Sequence, residues 1–135
     1  MKINEKTKVY IAGCGGMLGL AVYETFSKVG TVKATDIDVN EAWLEYADVR
    51  NYKNIEKSIK DFMPDLIINL AAKTDMEECE LNPTNAWLTN TLGAENTALL
   101  AEALRIPYIY ISTAGIFGGE KEYFNDFDTP NPLSI

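Results

Sequence analysis

The sequence predicts an α/β fold, a parallel sheet with helices packed on both of its faces. Three observations carry that expectation. Apolar runs at 8–13 (KVYIAG), 64–72 (PDLIINLAA) and 107–113 (PYIYIST) are continuous rather than alternating, as in strands covered on both sides. Segments with helical periodicity separate them. A glycine-rich seam, GCGGMLG from Gly13 to Gly19, joins the first strand to the first helix.

The elements follow in chain order. After the first strand, Leu18, Ala21, Val22, Thr25, Phe26 and Val29 repeat at helical spacing, and Gly30 closes that helix. TVKATD, 31–36, reads as a shorter and more mixed strand, followed by a loop-rich stretch. Ile55, Ile59, Phe62 and Met63 line one side of a second helix, with Glu56, Lys57 and Lys60 toward water and Pro64 as its stop. Beyond the 64–72 strand, the acidic run DMEECE reads as a solvated turn rather than a metal site. A long helix is expected from Asn82 as cap and Pro83 in the first turn to about Arg105, ahead of Pro107. Trp43 and Trp87 are expected to pack. This succession is that of an open sheet built from βαβ units, with about five strands in the order 3-2-1-4-5.

Composition narrows the function. At 135 residues the chain has the size of one domain, and a net charge of −8 disfavours nucleic acid, whose phosphates select clustered Lys and Arg. There is no histidine, so these residues hold no Ser-His-Asp triad, Cys-His pair or imidazole-bound zinc. Cys14 and Cys79 form no CxxC spacing and fit a reducing cytosol. MKINEKTK leads into only a short apolar run, so neither a signal peptide nor a membrane span is expected. Together these features suggest a cytoplasmic protein without nucleic-acid or membrane partners.

Gly13, Gly16 and Gly19 form GxxGxxG at a strand-to-helix turn. The first allows the tight turn, the second lets backbone approach a pyrophosphate, and the third lets the helix pack on the sheet. The amides at the start of the helix, around Met17 and Leu18, would then face the phosphates. Such a pattern also suits a purely structural turn. Asp36, 23 positions beyond Gly13 at the end of the second strand, tips the reading toward a dinucleotide. Its carboxylate would accept hydrogen bonds from the ribose 2′- and 3′-hydroxyls and repel a 2′-phosphate. No arginine in DIDVN offsets it, so NAD(H) is favoured, with NADP(H) the second choice. Cys14, within the loop, reads as a small residue accommodated beside the pyrophosphate rather than a reactive thiol.

The ordered set GCGGMLG, ADVRN, PDLIINLAAKTDMEECE, TNTLGAEN and ISTAGIFGGEKEYFNDFDTPNPLSI resembles the extended short-chain dehydrogenase/reductases. Within these it is similar to the N-terminal half of nucleotide-sugar reductases of the dTDP-4-dehydrorhamnose reductase type. The resemblance implies a Rossmann-type doubly wound sheet, with an NAD(P)-binding domain over 1–119 and a polar loop over 120–135. It implies that Asp48 and Val49 set an acceptor and an N–H against the adenine. Asn69, Ala71, Ala72 and Lys73 would line the nicotinamide ribose side. Asn90 would steady the active-site helix, and Thr113, with Ser112 beside it, would orient the substrate carbonyl. Family members continue the Ser-Thr pair with an acid and an aromatic, where this chain has Ala114 and Gly115.

The implied activity is reduction of a nucleotide-linked 4-keto-6-deoxysugar for deoxysugar or polysaccharide biosynthesis, possible as a homo-oligomer. A tyrosine would act as general acid, with a lysine four residues on. None of the seven tyrosines here is followed at that distance by lysine, so the chain is expected to end just before that pair and to be inactive alone. The alternatives are a sugar-nucleotide epimerase or dehydratase sharing this half, or a non-catalytic dinucleotide-binding module.

Overall fold

A computed structural model describes residues 2–133. Five parallel strands form one sheet: β1 (Lys8–Ala12), β2 (Thr31–Asp36), β3 (Leu44–Tyr46), β4 (Leu66–Asn69) and β5 (Tyr108–Tyr110). They lie in the order β3-β2-β1-β4-β5, so the Rossmann-type order read from the sequence is the observed one. The helices are α1 (Gly19–Ser27), α2 (Tyr52–Phe62), α3 (Met76–Leu81), α4 (Pro83–Trp87) and α5 (Gly93–Leu104). Among the described residues no helix is long and apolar enough to cross a membrane.

The central strand explains the unbroken apolar runs. Side chains alternate across a strand, so Val9 and Ile11 enter one layer while Tyr10 and Ala12 enter the other. The first layer joins Leu66 and Ile68 of β4 to Val22 and Phe26 of α1. The second joins Ile67 of β4 to Ile55 and Ile59 of α2 and to Leu100 and Ala101 of α5. β1, buried on both faces, has no polar side to show.

Four local features depart from the sequence reading. β3 is a strand of three residues inside the stretch read as loop, paired to β2 through Ala34–Leu44 and Asp36–Tyr46. The DMEECE run is no simple turn: Asp75 accepts the Glu78 amide at 2.9 Å and so caps α3. The long helix starts as expected at Asn82 and Pro83 but widens over Leu88–Leu92, where the Gly93 amide reaches back five residues to the Leu88 carbonyl. Trp43 packs, stacked on Tyr23 with ring centroids 4.4 Å apart, whereas Trp87 is 55% exposed.

The 120–133 stretch contains no helix or strand. It folds back on the segment before it: Phe124 stacks on Phe117, and the Asn131 amide donates to the Ile116 carbonyl at 2.8 Å. Residues 134 and 135 of the expected polar loop lie outside the described residues.

Two motif glycines are required by the chain's own packing. Gly13 has φ of +74°, and a Cβ there would sit 2.3 Å from the Ala71 nitrogen. At Gly19 a Cβ would fall 1.6 Å from the Cys14 carbonyl oxygen. Gly16 differs, since its Cβ would meet only the Gly13 oxygen at an ordinary 3.6 Å. Gly19→Ala should therefore lose about 3 kcal/mol or more in urea unfolding, while Gly16→Ala should stay within about 1 kcal/mol of wild type.

Candidate functional site

The strand order reverses between β1 and β4, and at the carboxyl ends of these strands lies a cleft of about 290 Å³. Of the residues singled out from sequence, Gly13, Gly16, Asp36, Asp48, Val49, Ala71, Ala72 and Lys73 line it. They come from four connections: after β1, after β2, after β3 and after β4.

The loop after β1 supplies backbone donors. Leu18 at the start of α1 makes no side-chain cap, and no acidic residue sits in the first turn. Among the described residues nothing accepts the Met17 amide, and the Met17 side chain is 99% exposed. A helix end with open N–H groups and the positive end of its dipole attracts an anion. Gly19 is buried beneath Cys14 and contributes spacing rather than a surface.

Asp36 is tied to that loop. Its Oδ2 accepts the Gly15 amide at 2.8 Å and its Oδ1 the Asp38 amide at 3.0 Å. Each oxygen keeps a second acceptor site for a hydroxyl. Cys14, below, donates its thiol to the Gly19 carbonyl at 3.4 Å. Burial, reinforced by the Asp36 charge, pushes this thiol up to about 11, the reverse of the acidification that a helix start can give.

Beyond β3, Asp48 is clasped by Arg50, whose Nε and Nη2 donate to its two oxygens at 2.9 Å each. The Arg50 side chain is the main reason that this carboxyl lies below the usual range, with burial opposing it. The Val49 carbonyl accepts from buried Asn96 Nδ2 at 2.8 Å, while nothing among the described residues accepts its amide.

Beyond β4 the backbone is held by side-chain amides. Asn69 is fully buried as the last residue of β4, and it does not line the cleft. Its Nδ2 donates to Thr97 and Tyr108, and its Oδ1 accepts the Ala71 amide at 3.0 Å. Asn90, in the widened turn, receives the Lys73 amide at 2.7 Å and returns its own N–H to the Lys73 carbonyl at 2.9 Å. The Lys73 ammonium is paired with Glu78 at 2.9 Å. Ser112 and Thr113 are exposed beyond β5, and Thr113 Oγ1 accepts the Gly115 amide at 3.1 Å.

Gly15, Ile37, Asp38, Ala47, Arg50, Leu70 and Thr89 also line the cleft and were missed from sequence. All but Thr89 lie within four residues after a strand's end, a placement that could have flagged them. Thr89 comes from a helix and carried no such signal.

Residues 7–135 match the family described as the RmlD substrate binding domain. The chain belongs to that family. It is 28% identical over 130 residues to the spore coat polysaccharide biosynthesis protein SpsK of Bacillus subtilis, covering 96% of this chain and 44% of that protein. It is 30% identical over 129 residues to methionine adenosyltransferase 2 subunit beta of Xenopus tropicalis, covering 95% of this chain and 39% of that one. Among solved structures, dTDP-4-dehydrorhamnose reductase of Bacillus anthracis in complex with NADP superposes with a TM-score of 0.86 at 25% identity, over 98% of this chain and 46% of that one. The chain thus spans less than half the length of these family relatives.

Two outcomes follow from the titrating groups. Asp48 has a lowered folded value, so its stabilising contribution is complete above the unfolded carboxyl value near pH ~4 and disappears as pH falls through the folded one. The stability advantage of wild type over Asp48→Asn, followed by acid unfolding, should shrink in that window only. Alkylation of Cys14 by iodoacetamide at pH 8, followed by mass spectrometry, should run at least about tenfold slower in the folded chain than in urea.

Proposed function

We propose that this chain is the dinucleotide-binding part of an NAD(P)H-dependent nucleotide-sugar reductase of the dTDP-4-dehydrorhamnose reductase type. Its substrate would be a nucleotide-linked 4-keto-6-deoxysugar in deoxysugar or polysaccharide biosynthesis. One observation carries the reading. Gly16, the motif glycine that the chain's own packing does not require, opens on the same cleft as Asp36, next to an uncapped helix start. The names of the relatives support it, one a polysaccharide biosynthesis protein and another a reductase holding NADP.

The amides at Met17 and Leu18 would take the pyrophosphate, and Asp36 the adenosine ribose. NADH is favoured over NADPH because Asp36, Asp38 and Asp48 all face the cleft. Both cations lining it are already paired, Arg50 with Asp48 and Lys73 with Glu78. A 2′-phosphate would meet acids without a spare cation. The dinucleotide, when bound, supplies the hydride. Thr113 Oγ1 already accepts from Gly115, which leaves the hydroxyl proton to donate to a ketone oxygen, with Ser112 alongside. Asn90 keeps the Lys73 backbone against the nicotinamide side of the cleft. The proton that completes the alcohol comes from outside these 135 residues, since no tyrosine here has a lysine four positions on.

A second reading is a dinucleotide-binding module without catalysis of its own, in keeping with the absence from these residues of a tyrosine followed four positions on by lysine. Both readings require the cleft to bind. Titration calorimetry of the folded chain should show NADH binding at least about tenfold more tightly than NADPH, and Asp36→Asn should narrow that ratio severalfold. Gly16→Val should abolish binding with the circular dichroism unchanged. Absence of heat with either dinucleotide would overturn both readings, and turnover of a keto-sugar nucleotide by this chain alone would overturn the assignment of the proton donor.

A further inference from the structure

Arg50 is held at three side-chain nitrogens. Nε and Nη2 grip Asp48, and Nη1 donates to Asn85 Oδ1 at 2.9 Å. The guanidinium therefore bridges the turn after β3, which lines the cleft, to the first turn of α4, one helical turn ahead of the lining residue Thr89. A single half-buried ion pair adds modest stability by itself. A rigid planar fork adds orientation.

What it orients is legible from the acceptor inventory of Asp48. A carboxylate offers about four acceptor sites. Arg50 Nε and the Arg50 amide, each at 2.9 Å, fill Oδ1, and Nη2 takes one site on Oδ2. One acceptor site on Oδ2 remains. The segment is fixed from behind: the Asp48 amide donates to Asn54 Oδ1 at 2.8 Å, and the Val49 carbonyl is bound to Asn96. The Val49 amide keeps an N–H with no acceptor among the described residues. An acceptor beside a donor complements the adenine edge, where the 6-amino group donates and N1 accepts. Hypoxanthine presents the reverse, a 6-oxo acceptor and an N1–H donor.

Resting on the reading of this cleft as a dinucleotide site, we propose that Arg50 sets its base selectivity. It clamps Asp48 and braces it on Asn85, so that the remaining Oδ2 site and the Val49 amide together select a 6-aminopurine. Arg50 is a positioning residue in this role, acting through Asp48.

The test compares NADH with reduced nicotinamide hypoxanthine dinucleotide, by calorimetry on the folded chain. Wild type should bind NADH at least about tenfold more tightly than the hypoxanthine analogue. Arg50→Met should weaken NADH about tenfold while leaving the analogue within about twofold, so that the preference collapses. Arg50→Lys, which keeps the charge without the fork, should lose the preference too. Equal weakening of both dinucleotides with the ratio retained would make Arg50 merely structural and overturn the inference. Should Arg50→Met fail to fold, Asn85→Ala removes only the far brace, and an unchanged ratio there would overturn it equally. Wild type that binds NADH without preferring it overturns the Arg50 inference alone, whereas wild type that binds neither overturns the cofactor reading beneath it.

Discussion

The molecule depends on one backbone contact, the seating of α1 against the end of β1. At Gly19 the helix passes so close beneath the Cys14 carbonyl that no side chain fits between them. That approach fixes where the first open amides of α1 emerge. The Gly15 amide, bonded to Asp36 at 2.8 Å, then ties the same loop to the tip of β2. The open amides of the helix start and the Asp36 carboxylate are thereby one rigid piece rather than two loops that happen to meet.

Much of this was written in local pattern. Continuous apolar runs identify β1, β4 and β5, but the expected cover on both faces holds only for β1 and β4; in the edge strand β5, Ile109 and Tyr110 are each 42% exposed. Asn82 and Pro83 mark a helix start that the structure reproduces. What escaped was set by tertiary packing. β3 has three residues, of which only Leu44 is buried, and no periodicity shows in so short a segment. The capping role of Asp75 was hidden among its acidic neighbours. In the cleft, residues that follow a strand could be read from position, but Arg50 gains its significance from Asn85, 35 residues on. No spacing rule joins two such residues. For Cys14 the reading as a small residue rather than a reactive thiol agrees with its burial, which raises the thiol.

Beneath the cleft, buried polar groups align the layers. Tyr10 meets Ser58 of α2 at 2.9 Å and Thr35 of β2 at 3.1 Å. Asn69 and Tyr108 meet Thr97 of α5 on the same face of the sheet. Among the described residues no buried side-chain nitrogen or oxygen lacks a partner. Apolar packing alone would let α2 and α5 slide or rotate on the sheet, whereas directional bonds choose one setting. The same bonds bring Asn96 under Val49 and keep the turn after β3 at its height above the sheet.

The wide turn at Leu88–Leu92 carries a final consequence. It accommodates one residue more than an ordinary helical turn, so the faces of α4 and α5 are offset from each other by about 100° relative to a continuous helix. Asn90 can thus point at Lys73 while Thr97 still meets the sheet and Asn96 the turn after β3. Trimming a single residue here would heal the helix and swing one of these groups off its target. The number of residues between Asn82 and Asn96 is therefore a ruler, and chain length in this span is constrained as tightly as any side chain.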